Sequence, residues 1–319
     1  MIDLSKKRIT VTGGAGFLGR HIVEELKKKG CTDIFVPRSE DYDLRNVPSA
    51  RLALLKGKPH IVIHAAAHAG GIGLNQERPA ELFFDNIMMG VNMVDQAQRL
   101  GFVEKFVTLG TVCEYPKFTT TPFLEKDLWA GYPEETNAPY AIAKKALLVM
   151  GQAYRKQYGF NVIHLLPANL YGPHDNFGNG SHVIPALIKK IVEAKEKSIP
   201  QVKVWGTGTA SREFLHVEDA ARAIVLATEL YNKPEPINIG TGMGVHIADL
   251  AYVLCNMINY SGDVLFDYTK PDGQPSRRLD VSKACAEFGF ESKIKLWEGL
   301  QQTIDWYMEN KGEKNDLEL

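Results

Sequence analysis

The chain has 319 residues, enough for about two domains and for a core that needs no covalent staples. Its 37 Lys and Arg stand against 38 Asp and Glu, a net charge of −1, which excludes a polybasic nucleic-acid surface and gives no reason to expect an anionic membrane as partner. Apolar residues at 45% and charged residues at 24% are those of a globular protein, and 28 glycines point to glycine-rich loops.

The first 170 residues alternate short apolar runs with helical patterns. Segments 8–12, 33–36, 60–66, 105–109 and 161–166 predict strands, apolar nearly throughout as parallel strands covered on both faces are. Helices are predicted over 17–29, 79–100 and 138–158, with Gly30 and Gly101 placed as C-caps for the first two. That rhythm predicts an α/β fold with a doubly wound parallel sheet of the Rossmann type. Further on, 181–197 predicts a helix with Ser181 as N-cap. Segments 203–206 and 213–217 predict strands, 217–231, 247–259 and 296–310 helices, and 312–319 a frayed polar tail. Pro236-Ile237-Asn238-Ile239-Gly240 looks like one more strand of the first sheet. The expected division is therefore a dinucleotide-binding domain over 1–170 plus about 213–241, interleaved with a smaller α/β substrate domain over 171–212 and 242–311.

Cys31, Cys113, Cys255 and Cys285 are scattered without a CxxC pair, so a reduced, cytoplasmic setting is expected. The N-terminus carries no apolar leader segment, so no secretion signal is expected. No apolar run approaches the roughly 18 residues that a bilayer span requires.

The first predicted strand runs into Thr12-Gly13-Gly14-Ala15-Gly16-Phe17-Leu18-Gly19. Gly14-x-Gly16-x-x-Gly19 fits the dinucleotide fingerprint, and Gly13-x-x-Gly16-x-x-Gly19 fits its variant. Glycines there make the tight turn and let backbone N–H groups approach a pyrophosphate at a helix N-terminus. At the end of the second strand Arg38 stands where an acid would bond a ribose hydroxyl, which favours NADP over NAD; Glu40 and Asp41 are the alternative ribose partners.

Tyr140 and Lys144 are four apart on one helix face, the arrangement by which a lysine lowers the pKa of an acid–base tyrosine. Tyr307 and Lys311 share the spacing without the fingerprint context, and are taken as a surface helix pair. Thr111, at the end of the fourth strand, can help polarise a carbonyl. Cys113 lies two residues on and is expected on the same side of an extended segment. His64 and His68, four apart, have no third ligand nearby, so no metal site is expected.

Through 13–19 and Thr111, Tyr140 and Lys144 the chain resembles the extended short-chain dehydrogenase/reductase family, over nearly its whole length. The strings Leu109-Gly110-Thr111-Val112-Cys113-Glu114-Tyr115-Pro116, Asn169-Leu170-Tyr171-Gly172-Pro173-His174-Asp175-Asn176-Phe177, Ser181-His182-Val183-Ile184-Pro185-Ala186-Leu187 and Lys270-Pro271-Asp272-Gly273 resemble the NADPH-dependent 3,5-epimerase/4-reductases of GDP-4-keto-6-deoxy-D-mannose. The resemblance implies Thr111, Tyr140 and Lys144 as the reductase triad, and Cys113 and His182 as epimerisation base and acid. It implies Gly13, Gly16, Phe17, Leu18, Gly19, Arg38, Tyr140 and Lys144 at NADP. It implies Asn169, Lys190, Trp205, Arg212 and Arg277 at a GDP-sugar, and a homodimer. Thr111 replaces the usual Ser, Ala15 stands where relatives often carry Arg, and Lys190 and Arg277 exchange one basic residue for the other. The alternatives are a GDP-sugar 4-reductase that does not epimerise or that takes another deoxy-ketosugar, and a non-enzymatic NADP sensor. A 4,6-dehydratase would carry Asp-Glu where this chain has Val112-Cys113.

Overall fold

The computed structural model describes residues 2–311; the tail 312–319 lies outside them. The chain begins with β1 (Ile9–Thr12), α1 (Phe17–Lys28), β2 (Ile34–Phe35), α2 (Val47–Gly57), β3 (Ile61–His64), α3 (Ile72–Glu77), α4 (Pro79–Leu100) and β4 (Lys105–Leu109). α5 (Ala138–Tyr158), β5 (Asn161–Pro167), β6 (Asn169–Tyr171), α6 (Val183–Glu196), β7 (Gln201–Trp205), β8 (Ser211–His216), α7 (Val217–Leu230) and β9 (Ile237–Ile239) follow. The rest comprises β10 (Gly244–His246), α8 (Ile247–Ile258), β11 (Asp263–Asp267), β12 (Ser276–Arg277), α9 (Ser282–Phe288) and α10 (Leu296–Asn310).

Six parallel strands form one sheet in the order β2-β1-β3-β4-β5-β9. Successive side chains of its strands feed opposite cores. Ile61, Ile63, Val107 and Ile163 join α1 and α7 on one face, while Val62, Phe106 and Val162 join α2, α4 and α5 on the other. Each such fully buried side chain contributes roughly 1.5–3 kcal/mol, which is why the predominantly apolar runs end up in this sheet. Lys105 enters β4 as a buried cation whose Nζ donates to the carbonyls of Ala227, Thr228 and Tyr231, tying the end of α7 to the sheet. Helix ends follow local chemistry: α4 opens on Pro79 and closes on Gly101 at φ 73°, and α5 closes on Gly159 at φ 67°.

The smaller lobe holds β10-β8-β12 with β6 on β8, a separate β7–β11 pair, and a core of α6, α8 and α10 residues. Here the strand expected at 213–217 departs from the sequence reading. As β8 it pairs with β6, β10 and β12, not with the large sheet. The buried Glu213 supplies the reason. Its carboxylate accepts from the backbone N–H groups of Thr241, Gly242 and Leu279 at 2.5, 2.8 and 2.6 Å, donors found only where β8 meets the loop after β9 and the end of β12. α7 and β9 do return to the large sheet. The α6 N-cap is His182, not Ser181, because the backbone stays extended through residue 182. Tyr307 is buried, stacked on Phe177 at 4.4 Å between centroids, so it is core and not half of a surface pair. No helix among the described residues is long and apolar enough to cross a membrane.

Candidate active site

β1 ends at Thr12 and the chain turns through glycines into α1. Gly13 has φ 68°, and a Cβ on it would fall 2.7 Å from the Ala66 nitrogen; a Cβ on Gly19 would collide with the Gly13 carbonyl oxygen. Gly16 is the N-cap of α1 and offers no capping side chain, so the N–H groups of Phe17, Leu18 and Gly19 meet no side-chain cap. A cradle that side chains would fill, opening on a bare helix N-terminus, fits a dinucleotide pyrophosphate. Arg38 is exposed beside it with its Nε 3.5 Å from Glu40, a surface pair that holds it weakly.

Sequence reasoning missed Arg20. From α1 its guanidinium donates to the Ala15 carbonyl at 3.0 Å and meets His174 Nδ1 at 2.7 Å, bracing the glycine-rich loop. Its signal was its place directly after Gly19. His64 and His68 have separate partners: His64 Nδ1 meets Thr12 Oγ1 at 2.8 Å, and His68 Nδ1 meets Asp85 at 3.0 Å. Burial, with the nearby Lys144 charge, pushes the His64 pKa down to about 3, so this ring stays neutral.

β4 delivers the chemistry. Beyond Leu109 the segment is a 3-10 turn, Val112–Glu114, with Thr111 as its N-cap, and not the extended strand expected. A reciprocal capping box makes the turn: Thr111 Oγ1 accepts from the Cys113 N–H at 3.3 Å, and Glu114 Oε1 accepts from the Thr111 N–H at 2.9 Å. The Thr111 hydroxyl proton thus stays available to a ligand. The half-buried Cys113 still reaches the cleft, where the Arg277 guanidinium donates to its Sγ at 3.2 Å.

α5 carries Tyr140 and Lys144, packed along this turn. The expected lowering of the tyrosine pKa is reversed. Burial, reinforced by Cys113 and Glu114, pushes the Tyr140 phenol up. Burial also pushes Lys144 down to about 8, against the pull of the Glu114 carboxylate. Taking both groups out of water disfavours both charged forms. Tyr140 therefore keeps its proton at neutral pH.

The smaller lobe closes the cleft with positive charge. β12 and β8 align Arg277 beside Arg212. Arg212, pushed down to about 9 by burial and by Arg277, donates to the Asp272 carbonyl at 2.7 Å. His182, the N-cap of α6 and an exposed residue, is held below the ordinary histidine range by partial loss of water around its ring and by the Arg277 charge. Trp205 is exposed at the end of β7, with Lys190 and Lys270 ammonium groups 5.9 and 5.1 Å from its ring. Asn169 spends its side-chain N–H on the Glu213 carbonyl at 2.8 Å. Arg277, expected as a plain positive contact, is instead committed to Cys113 and to Gln274 Oε1 at 2.9 Å.

Residues 9–240 match the NAD dependent epimerase/dehydratase family. The chain belongs to that family. Within it, the chain is 42% identical over 311 residues to a GDP-L-fucose synthase of Sinorhizobium fredii, covering 97% of this chain and 98% of that one. The solved GDP-L-fucose synthetase of Naegleria fowleri, bound to NADP, superposes with a TM-score of 0.85 at 28% identity, covering 96% and 95% of the two chains. A GDP-6-OMe-4-keto-L-xylo-heptose reductase from C. jejuni superposes with a TM-score of 0.89 at 28% identity, covering 96% and 99%.

Proposed function

We propose that this epimerase/dehydratase family member converts GDP-4-keto-6-deoxy-D-mannose to GDP-L-fucose with NADPH, by epimerisation at C3 and C5 and then reduction at C4. The observation that carries the reading is the Cys113 sulfur, held 3.2 Å from the Arg277 guanidinium on the same short turn as Thr111. One turn thereby presents a proton-transfer group and a reductase hydroxyl to one ketosugar.

Gly13, Gly16, Phe17, Leu18 and Gly19 hold the dinucleotide diphosphate, Arg38 the 2′-phosphate, and Lys144 a ribose hydroxyl. Asn169, Lys190, Trp205 and Arg212 face the GDP-sugar, with Trp205 offering a stacking face and the Arg212 guanidinium opposing diphosphate charge, while Arg277 lies against them at Cys113. The 4-keto group acidifies the hydrogens on C3 and C5. Cys113 takes the C3 proton, the electron pair of that C–H bond moves onto the C4 oxygen as an enolate, and His182 returns a proton to the other face. Cys113 then releases its proton to solvent and His182 regains one from it, and the same exchange at C5 completes the inversion. NADPH, when bound, supplies hydride for C4. Tyr140 then gives its phenolic proton to the C4 oxygen while the Thr111 hydroxyl donates a hydrogen bond to it.

The likeness to the heptose reductase favours one second reading, a GDP-sugar 4-reductase that leaves C3 and C5 alone. NADPH consumption with GDP-4-keto-6-deoxymannose, followed by NMR of the product, decides between them. GDP-L-fucose is expected; a 6-deoxy sugar with unchanged C3 and C5 supports the second reading, and no consumption refutes both.

A homodimer is part of the reading. Phe84 and Val149 leave apolar surface at 55% and 48% exposure on α4 and α5, which pack side by side. A monomeric mass in light scattering at micromolar concentration would remove it. A reducing, cytoplasmic setting suits four free cysteines.

A further inference from the structure

A buried acid behind the catalytic turn takes no part in the chemistry above. Glu114 is fully buried. A buried carboxylate survives only with its oxygens satisfied, and Glu114 accepts from the Thr111 N–H at 2.9 Å and lies 3.3 Å from His164 Nε2 through each oxygen. His164, on β5, is buried too, and its Nδ1 meets Thr108 Oγ1 on β4 at 2.8 Å. Gly110 makes room for the pair, because a Cβ there would collide with both Glu114 Oε1 and His164 Nε2. So a carboxylate on the turn, an imidazole on β5 and the glycine just after β4 are shaped to one another beside Thr111.

We propose that Glu114, backed by His164, is a positioning residue that fixes the turn aiming Thr111 and Cys113. The capping bond carries this role, and the same carboxylate favours the cationic form of the desolvated Lys144. Tyr140 and Lys145 lie on the same helix as Lys144, His64 ends the neighbouring β3, and none of the three supplies a negative charge at neutral pH. α4, packed along the same helix, presents Asp95 to Arg99 and Tyr154, ten residues beyond Lys144. The inference rests on the proposed function for the roles of Thr111, Cys113 and Lys144.

Substitutions at Glu114 test its reach. Glu114→Gln keeps an oxygen for the Thr111 N–H, whereas Glu114→Asp draws the acceptor back by one methylene. Amide hydrogen exchange at Thr111 should quicken by roughly 10-fold or more in Glu114→Asp and stay slow in Glu114→Gln, and kcat should fall on the order of 10- to 100-fold in Glu114→Asp alone, with NADPH affinity unchanged in both. Slow Thr111 exchange with normal kcat in Glu114→Asp overturns the inference, and it does so also if Glu114→Gln fails to fold. A wild-type enzyme that leaves the GDP-ketosugar unreduced refutes the proposed function, and the amide exchange still decides the role of Glu114.

Discussion

Arg277→Gln tests whether the contact on the Cys113 sulfur serves catalysis. Arg277 is buried, donates to Cys113 Sγ at 3.2 Å and is itself held by Gln274, so it has little freedom to stand elsewhere. A glutamine amide can still donate a hydrogen bond, but it brings no charge. A hydrogen bond to a charged group is worth about 1.5–3 kcal/mol, and each ~1.4 kcal/mol is a factor of ten. Proton abstraction by a thiolate should therefore slow by roughly 10- to 150-fold. The assay is deuterium uptake at C3 and C5 of GDP-4-keto-6-deoxymannose in heavy water without NADPH, which isolates proton transfer from reduction. Arg277→Lys should recover part of the rate, since a point charge replaces the planar fork. An independent signature comes from His182, whose pKa the Arg277 charge depresses. Its ¹H–¹⁵N titration should move upward in Arg277→Gln. Exchange at the wild-type rate together with an unmoved His182 would refute the assignment of Arg277 to Cys113.

Other consequences concern the reductase half. Tyr140→Phe should lower kcat for reduction by roughly 100- to 10,000-fold while NADPH still binds, measured by stopped-flow absorbance and by fluorescence titration. Arg38→Ala should weaken NADPH by about 10- to 100-fold and leave NADH nearly unchanged, because one charge-assisted bond to a 2′-phosphate is lost. Calorimetric binding constants for both cofactors check this. Lys144 is cationic below about 8 and neutral above it, so kcat should fall as pH rises through that value. The same depression has a stability sign. Between about 8 and 10.5 the unfolded chain keeps this proton and the folded chain releases it, so the Lys144 contribution to stability rises with pH across that window. Urea midpoints of wild type and Lys144→Met, compared across that window, read it directly.

Much of this was legible in the chain because the signals are local. The glycines at 13, 16 and 19 announce the first β-turn-α unit, and Gly101 and the Tyr140–Lys144 spacing mark helix ends and a helix face. What was not legible depends on long-range contact. That β8 joins the smaller sheet rests on donors at 241, 242 and 279 converging on Glu213. Arg277 reaches Cys113 across 164 residues of sequence. The tyrosine pKa moved against expectation because spacing reports proximity of Lys144 but not the loss of water around both groups. Two signals were present and passed over. Thr111-Val112-Cys113-Glu114 is a Thr-x-x-Glu capping box, which forecasts a helical turn where alternation suggested an extended strand. Asn46, with Pro48 two residues later, marks the start of α2, where the Asn46 side chain accepts from the Ser49 N–H at 3.0 Å.

One short turn is held to serve two half-reactions through different side chains, Cys113 for the protons on C3 and C5, Thr111 with Tyr140 and Lys144 for the hydrogen added at C4. Cys113→Ser separates them, since it keeps the shape and replaces a nucleophilic thiol with a hydroxyl that hardly ionises near neutrality. The decisive measurement is NMR of the product that this variant forms from GDP-4-keto-6-deoxymannose and NADPH in heavy water. Deuterium at C3 and C5 should fall by roughly 100-fold or more, while NADPH consumption continues and yields a 6-deoxy sugar unepimerised at both carbons. GDP-L-fucose labelled with deuterium at C3 and C5, formed at the wild-type rate, would contradict the division of labour and leave Cys113 without a catalytic role.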